Sequence, residues 1–285
     1  VVWWLTEGRD IHDRKPVRST LCRRMTQERV AILTGASGGI ASAIARRLAR
    51  DGYRMVLMSR SGATAIAAET GQVGVAGSVL EERDVEAAVA LAVERFGRLD
   101  AAIFSGGRQR DILAHFEIPP SPAPTDESFG YDPDYARDIL EIPFAAWIAN
   151  YDMNVLGPMR LFKAALPHFR ATGGGAFVAI SGIEGAQPRL PYPLGPNRMA
   201  LHGFVRLLAD RHGPEAIRAN CVAPGLMENA AEEFPAGWRE TVPMGRLGLL
   251  DEIAGTVSYL LSPDGGYVTG QTLVVDGGVN RSIGA

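Results

Sequence analysis

Short apolar runs recur along the chain, separated by longer stretches in which apolar residues return every three or four positions. The runs are rich in β-branched and aliphatic residues. Strands of this composition are typical of a parallel sheet, because helices cover both of its faces. Seven strands are predicted, at RVAIL, YRMVLM, QVGVA, LDAAIF, GAFVAI, IRANCV and QTLVVD.

The stretches between the predicted strands have the period of amphipathic helices. In GIASAIARRLARDG the apolar residues lie four apart and Gly52 follows as a stop signal. In DVEAAVALAVERFG we expect Asp84 to be the N-cap and Gly97 to end the helix. Strands that alternate with helices indicate an α/β fold, so the sequence predicts a single Rossmann-type doubly wound domain over residues 28–285 with a seven-stranded parallel sheet.

One interval interrupts this alternation. Residues 108–150 contain six prolines and eight acidic residues against three arginines. A long loop inside a compact domain is usually functional or disordered, and this one follows the carboxyl end of a strand, where open α/β sheets bind ligands. We predict a lid-like loop or partner-contact loop, with a plain solvated insertion as the alternative.

Composition excludes several classes of partner. The chain has 285 residues and a formal charge of -3, and its 29 basic and 32 acidic side chains are spread along it, so a nucleic-acid partner is not expected. Its two cysteines, Cys22 and Cys221, form neither a disulfide framework nor a metal-binding spacing, so no metal site is predicted and a cytoplasmic location is expected.

The first residues have no clear period and many charges. We expect residues 1–27 to form a flexible N-terminal extension, with the true start, Val1 or Met25, left open. No apolar run approaches the roughly 20 residues that span a bilayer, so no membrane association is predicted.

A glycine-rich turn follows the first predicted strand and leads into a helix. In TGASGGIA, Gly35 and Gly39 permit a tight turn and close backbone approach. Ser37 can hydrogen-bond phosphate or ribose, and Ile40, at the start of the helix, is a further candidate for contact with the same ligand. The N–H groups and the positive end of the helix dipole favour a pyrophosphate at this place. The turn therefore predicts a dinucleotide site.

The end of the second strand indicates which dinucleotide binds. An acidic residue there would bind the ribose 2′-hydroxyl of NAD, but this chain has Ser59 and Arg60. Because an arginine accommodates a 2′-phosphate, NADP(H) is the predicted cofactor, with a solvated surface arginine as the alternative.

Taken together, these motifs resemble the short-chain dehydrogenase/reductase family over residues 28–283. TGASGGIA is similar to its glycine turn, and FSGG to its motif after the fourth strand. NVLGP, VAISG, NCVAPG and GQTLVVDGG follow in the family's order. The resemblance implies further cofactor contacts at Ser105, Gly106, Gly107, Pro224 and Gly225.

The resemblance also implies a catalytic set that this chain keeps only in part. In the family a serine polarises the substrate carbonyl, a tyrosine thirteen residues later transfers the proton, and a lysine four residues further on binds the nicotinamide ribose. An asparagine on the preceding helix holds a water. Asn154 and Ser181 are kept, whereas counting from Ser181 places Leu194 and Arg198 at the other two positions. Leu194 has no proton to give, and Arg198 can bind the ribose but stays charged.

Other side chains near this place have two interpretations each. Tyr192 lies on an extended segment before a helix expected to begin near Pro196. It is either a proton donor or carbonyl binder, or a packing or substrate-stacking residue. His202 is expected to lie on the helix face rather than to act as an acid, and Glu184 to be a surface carboxylate rather than to contact the substrate.

The function expected from these residues is reduction of a carbonyl in a small-molecule ketone by NADPH, as in secondary metabolites of the polyketide type. The proton would come from Tyr192, from water held by Asn154, or from a hydroxyl of the substrate. Two alternatives stay open: a homologue that binds NADP without redox turnover, and a cyclase or dehydratase that uses the same cleft. The resemblance further implies a homo-oligomer, either a dimer or a tetramer.

Overall fold

A computed structural model describes residues 28–106, 115–117, 139–188, 194–229 and 239–281. The strands within these ranges are β1 (Arg29–Thr34), β2 (Tyr53–Ser59), β3 (Val73–Ala76), β4 (Ala101–Phe104), β5 (Gly175–Ile180), β6 (Ile217–Pro224) and β7 (Thr272–Val275). They form one sheet in the order β3-β2-β1-β4-β5-β6-β7, with every neighbouring pair parallel. The seven predicted strands and the doubly wound parallel sheet are confirmed.

Helices occupy the connections between the strands. They are α1 (Gly39–Arg50), α2 (Thr64–Thr70), α3 (Glu82–Phe96), α4 (Phe144–Tyr151), α5 (Gly157–Ala171), α6 (Ile183–Ala186), α7 (Gly195–His212) and α8 (Leu250–Leu261). A π-helical turn, Asp152–Leu156, joins α4 to α5. Single 3-10 turns lie at Ile139–Glu141, Gly213–Glu215 and Arg239–Thr241.

The sheet is buried on both faces, which explains why its strands are apolar throughout. In β1, Ala31 and Leu33 pack toward α1 and α8, whereas Val30 and Ile32 pack toward α3, α5 and α7. Burying a branched aliphatic side chain stabilises the fold by about 1.5–3 kcal/mol, so each strand contributes to two cores at once.

The helix boundaries follow the predicted stop signals but not the predicted cap. Gly52 and Gly97 have φ angles of 83° and 77°, a left-handed conformation that glycine adopts without strain, and each follows the end of its helix as expected. The prediction of Asp84 as an N-cap was wrong, because α3 begins at Glu82 and Asp84 lies in its first turn. There its carboxylate accepts a hydrogen bond of 3.0 Å from the backbone N–H of Ser78 and holds the preceding loop.

The predicted loop over 108–150 is helical at its end, so the prediction was wrong for those residues. Pro143 occupies the N-cap position of α4, where its fixed φ is compatible with a helix start, and Ala146 within the helix is fully buried. Residues 107–114 and 118–138 lie outside the described residues, as does the predicted extension over 1–27. The lid role of the loop therefore stays a prediction.

In the described ranges, no helix is long and apolar enough to cross a membrane. Nor do these ranges contain a group of three or more His, Cys, Asp or Glu side chains that could hold a metal ion.

Candidate active site

The β1–α1 turn has the geometry of a phosphate-binding turn. Gly35 has φ 64°, and a Cβ at this position would lie 1.6 Å from the carbonyl oxygen of Ser105, so only glycine fits against the end of β4. Among the described residues, no side chain caps the N-terminus of α1, which leaves the N–H groups at Gly39 and Ile40 available to an anion. Ser37, within the turn, is exposed.

Asn229 lies directly over this turn, at a position that no motif in the sequence singles out. A Cβ on Gly39 would lie 3.1 Å from its Nδ2 atom. Asn229 follows β6 by a few residues, so its position after a strand's carboxyl end was the available signal. Its amide adds a side-chain donor beside the uncapped start of α1.

At the end of β2, the hydroxyl of Ser59 already has hydrogen-bond partners, whereas the guanidinium of Arg60 has none in the described part of the chain. Ser59 is buried, and its Oγ accepts a hydrogen bond of 2.8 Å from the backbone N–H of Ala63 and lies 3.3 Å from Ser61 Oγ. Ser59 therefore acts within its own turn. Arg60 is exposed, and in the described part of the chain its guanidinium has no hydrogen bond or ion pair.

The carboxyl ends of β4 and β6 lie at the same edge of the parallel sheet as the β1–α1 turn. The backbone N–H of Ser105 donates to Thr34 Oγ1 over 3.2 Å, which ties β4 to β1. A Cβ on Gly225, which follows Pro224, would lie 2.6 Å from the Cβ of Asp276, so this glycine permits close packing of the loop after β7. Gly106 lies at the same edge of the sheet, and Gly107 lies outside the described residues.

Asn154 belongs to a buried amide network rather than standing alone. It lies on the π-helical turn, a feature frequent at functional sites, and its Nδ2 donates to the carbonyl oxygen of Asn150 over 3.0 Å. Asn197, in the first turn of α7, donates to Asn150 Oδ1 over 3.0 Å and to the carbonyl oxygen of Trp147 over 3.1 Å. The network fixes α4 and the π turn against α7. Asn150 and Asn197 were not singled out from the sequence.

Ser181 is bonded to a histidine that we expected to lie on the helix face. Its Oγ lies 2.8 Å from Nε2 of His202, and Ser181 is only 6% exposed. Burial, and next the charge of Arg198, lower the pKa of the His202 imidazole to about 4. The ring is therefore neutral at pH 7. The spacing of four residues from Arg198 to His202 puts both on one face of α7, but no spacing in the sequence links His202 to Ser181.

Arg198 is paired with Glu184, so the prediction of a surface carboxylate was wrong. Arg198 Nε lies 2.8 Å from Glu184 Oε1, and the two side chains are 12% and 11% exposed. The Nε atom is nevertheless buried and has no hydrogen bond within the described ranges, because its N–H does not point at the carboxylate oxygen. The two charged groups are thus close together, but the N–H of Arg198 Nε is not aligned with the carboxylate. Gly182 lies against this ion pair.

Leu194 forms an apolar wall at the N-terminus of α7. It is 0% exposed and packs with Ile142 and Ala146. Half-buried apolar side chains complete the cluster, namely Phe116, Trp147, Ala149 and Met153. Leucine supplies no proton to this wall. Tyr192 lies outside the described residues, so its predicted roles stay predictions.

Comparison with known proteins identifies relatives over most of the chain. The model of the short chain dehydrogenase family matches residues 29–125, and the model described as enoyl-(acyl carrier protein) reductase matches residues 127–280. Dehydrogenase/reductase SDR family member 4 of Homo sapiens is 33% identical over 88% of this chain and 87% of its own length. The protein named "Granaticin polyketide synthase putative ketoacyl reductase 2" of Streptomyces violaceoruber is 34% identical over 88% of this chain and 96% of its own length.

A solved structure agrees with these relatives. The actinorhodin polyketide ketoreductase with NADPH superimposes with a TM-score of 0.73 at 26% identity, covering 88% of this chain and 97% of that chain. The sequence matches, the parallel sheet and the glycine turn at the end of β1 all lead to one assignment. The chain belongs to the short-chain dehydrogenase/reductase family, whose members are nicotinamide-dependent oxidoreductases of carbonyl and hydroxyl groups.

Proposed function

We propose that this protein is an NADPH-dependent ketoreductase that reduces a carbonyl of a polyketide-like small molecule. The observation that carries the choice of cofactor is Arg60, an exposed guanidinium at the end of β2 with no partner among the described residues. A charged planar donor at this place suits the 2′-phosphate that distinguishes NADP(H) from NAD(H). The named ketoreductases among the relatives support the carbonyl substrate.

The residues present fit the cofactor along its length. The uncapped start of α1, with Gly35, Ser37 and Gly39, would hold the pyrophosphate, and Asn229 adds a donor there. Arg198 would bind the nicotinamide ribose. Ser105 and Gly106 lie at the edge of the sheet between these two places. When bound, NADPH supplies the hydride that reduces the carbonyl carbon.

The protein's part in the reaction is then mainly positioning, because Leu194 removes the usual proton donor. Holding the reactants in place contributes much of an enzyme's rate, whereas general acid catalysis adds about 10²–10⁴-fold. Ser181 is proposed to polarise the carbonyl. The proton comes from Tyr192, from water held by Asn154, or from a hydroxyl on the substrate next to the carbonyl.

The test combines two cofactors with a matched pair of substrates. NADPH and NADH oxidation are measured with an aryl ketone that carries a neighbouring phenolic hydroxyl and with its O-methyl ether. We expect NADPH to be preferred and the phenol to react faster than the ether. No oxidation of either cofactor with any such ketone would refute the proposal. NADPH binding without turnover would instead support the alternative of a binding protein, consistent with the apolar wall at Leu194.

The cofactor preference has its own variant. We expect Arg60→Glu to weaken NADPH binding by roughly tenfold to a hundredfold, since a charge-assisted hydrogen bond contributes about 1.5–3 kcal/mol, and to leave NADH binding unchanged. Arg54→Glu is the matched control, because Arg54 is exposed at the other end of β2, where its guanidinium stacks on Phe96. Equal losses for the two cofactors in Arg60→Glu would contradict the assignment of NADP(H).

We further propose that the protein forms a homodimer or homotetramer in the cytoplasm, packed through α5 and α7. Met159 on α5 and Leu207 on α7 are exposed apolar side chains on these helices. Sedimentation of the purified protein tests the oligomer, and a monomer at micromolar concentration would contradict it.

A further inference from the structure

Helix α6 packs unusually close to α7, and glycines make this approach possible. A Cβ on Gly185 would lie 2.8 Å from the Cβ of Arg198, and one on Gly195 would lie 2.8 Å from the carbonyl oxygen of Glu184. Real Cβ atoms essentially never approach so closely, so larger residues would separate the two elements. The close packing brings Glu184 on α6 within reach of Arg198 on α7.

A third glycine leaves room for the ion pair itself. A Cβ on Gly182 would lie 2.4 Å from Arg198 Nη1 and 2.4 Å from Glu184 Oε2. The guanidinium and the carboxylate therefore both occupy the space where a side chain at position 182 would stand. Gly182 has an extended backbone, with φ −170°, so its absent side chain matters for space and not for conformation.

We propose that Glu184 is a positioning residue that fixes the Arg198 guanidinium for binding of the nicotinamide ribose. The inference rests on the proposed function in one respect, namely that Arg198 contacts the cofactor. Glu184 itself acts only through Arg198, because its carboxylate is nearly buried and already within 2.8 Å of the arginine.

Two physical arguments support a positioning role over a purely stabilising one. A buried ion pair contributes little net stability, because the desolvation of two charges offsets their attraction, and such pairs are retained in some proteins for the geometry they specify. A free arginine side chain also loses much rotamer freedom when it binds a ligand, and prior fixation removes that loss from the binding step.

The test is a double-mutant cycle read out as NADPH affinity, which requires no turnover. We expect Glu184→Gln to weaken NADPH binding by about three- to tenfold, the range expected when one long side chain must be ordered on binding. In an Arg198→Met background the same change should leave the affinity unaltered. Glu69→Gln, which breaks the exposed ion pair of Glu69 with Arg46, is the matched control and should not alter NADPH binding.

Gly182→Ala provides a second route if Glu184→Gln fails to fold. Alanine accepts the extended backbone, but its Cβ would displace the guanidinium, so we expect a similar loss of affinity that again disappears in the Arg198→Met background. Glu184→Asp, which keeps the charge, should restore part of the affinity lost in Glu184→Gln.

The outcomes separate this inference from the proposed function. Unchanged or tighter NADPH binding in Glu184→Gln would overturn the inference, and so would an equal loss with and without Arg198. A thermal shift without a change in affinity would also overturn it, since that result describes a purely structural ion pair. An absence of ketone reduction by the unaltered protein, with the expected cycle in NADPH affinity, would refute the ketoreductase and leave the role of Glu184 supported.

Discussion

Acidification should destabilise this protein through His202. The folded state holds the pKa of His202 at about 4, chiefly by burial, against an ordinary value of 6.5. In the unfolded chain the same ring binds a proton from about pH 6.5 downward. The free energy of unfolding should therefore fall as the pH drops from about 6.5 to 4, and this group should contribute no further loss below pH 4.

The magnitude follows from the difference between the two pKa values. Each unit corresponds to 1.36 kcal/mol, so the difference between about 4 and 6.5 amounts to about 3 kcal/mol when complete. At pH 4.5 most of that loss, about 2–3 kcal/mol, should be present. This is a large part of the roughly 5–15 kcal/mol by which native proteins are stable.

Urea unfolding at pH 7 and pH 4.5 measures the effect. His202→Gln keeps a polar group next to Ser181 but removes the titration, so its loss of stability between the two pH values should be smaller than that of the unaltered protein by about 2 kcal/mol. Ser181→Ala is the matched control, since it removes the hydrogen bond to His202 and retains the burial that causes most of the pKa shift. The reasoning is refuted if His202→Gln has the same pH dependence as the unaltered protein, or if Ser181→Ala abolishes that dependence.

Two further changes test the turn and the wall of the site by urea unfolding. Gly35→Ala combines a strained φ with a contact of 1.6 Å to the Ser105 carbonyl oxygen. It should therefore destabilise the protein more than Gly52→Ala, which should cost about 1–3 kcal/mol because position 52 has φ 83° but no atom within 4 Å of a Cβ. Equal losses for the two variants would contradict the close approach of β4. Leu194→Ala should cost about 2–5 kcal/mol, as for other fully buried leucines. Tyr267→Ala, at a fully exposed position outside the proposed subunit interface, should cost less than about 0.5 kcal/mol. A small loss for Leu194→Ala would show that Leu194 lines open space.

The fold could be predicted from the sequence because its signals are local. Each strand is a continuous apolar run, and Gly52 and Gly97 mark helix ends by their own conformational freedom. The loop prediction was wrong at its C-terminal end. It rested on the composition of residues 108–150, whose prolines argue against a helix, and not on the apolar residues that form α4.

The polar contacts of the site could not be predicted in the same way. Ser181 and His202 are 21 residues apart, and Asn150 and Asn197 are 47 apart, so no periodic pattern joins them. Counting along the family motif located Leu194 and Arg198 but gave no information on what they touch. The partner of Arg198 depends on the close packing of α6 on α7, which is visible only after the chain has folded.

The π-helical turn at Asp152–Leu156 has a consequence for the phase of the helix that contains it. Such a turn inserts one residue into an α-helix, and each residue rotates the helix face by about 100°. The side chains of α4 are therefore rotated about the helix axis relative to those of α5, compared with their positions in a regular helix. Removing a single residue from this turn would restore the regular period and rotate α4 by about a quarter turn. Asn150 would then face away from Asn197. The orientation of α4, which contributes to the apolar wall around Leu194, relative to α5, which covers the sheet, is therefore set by one inserted residue.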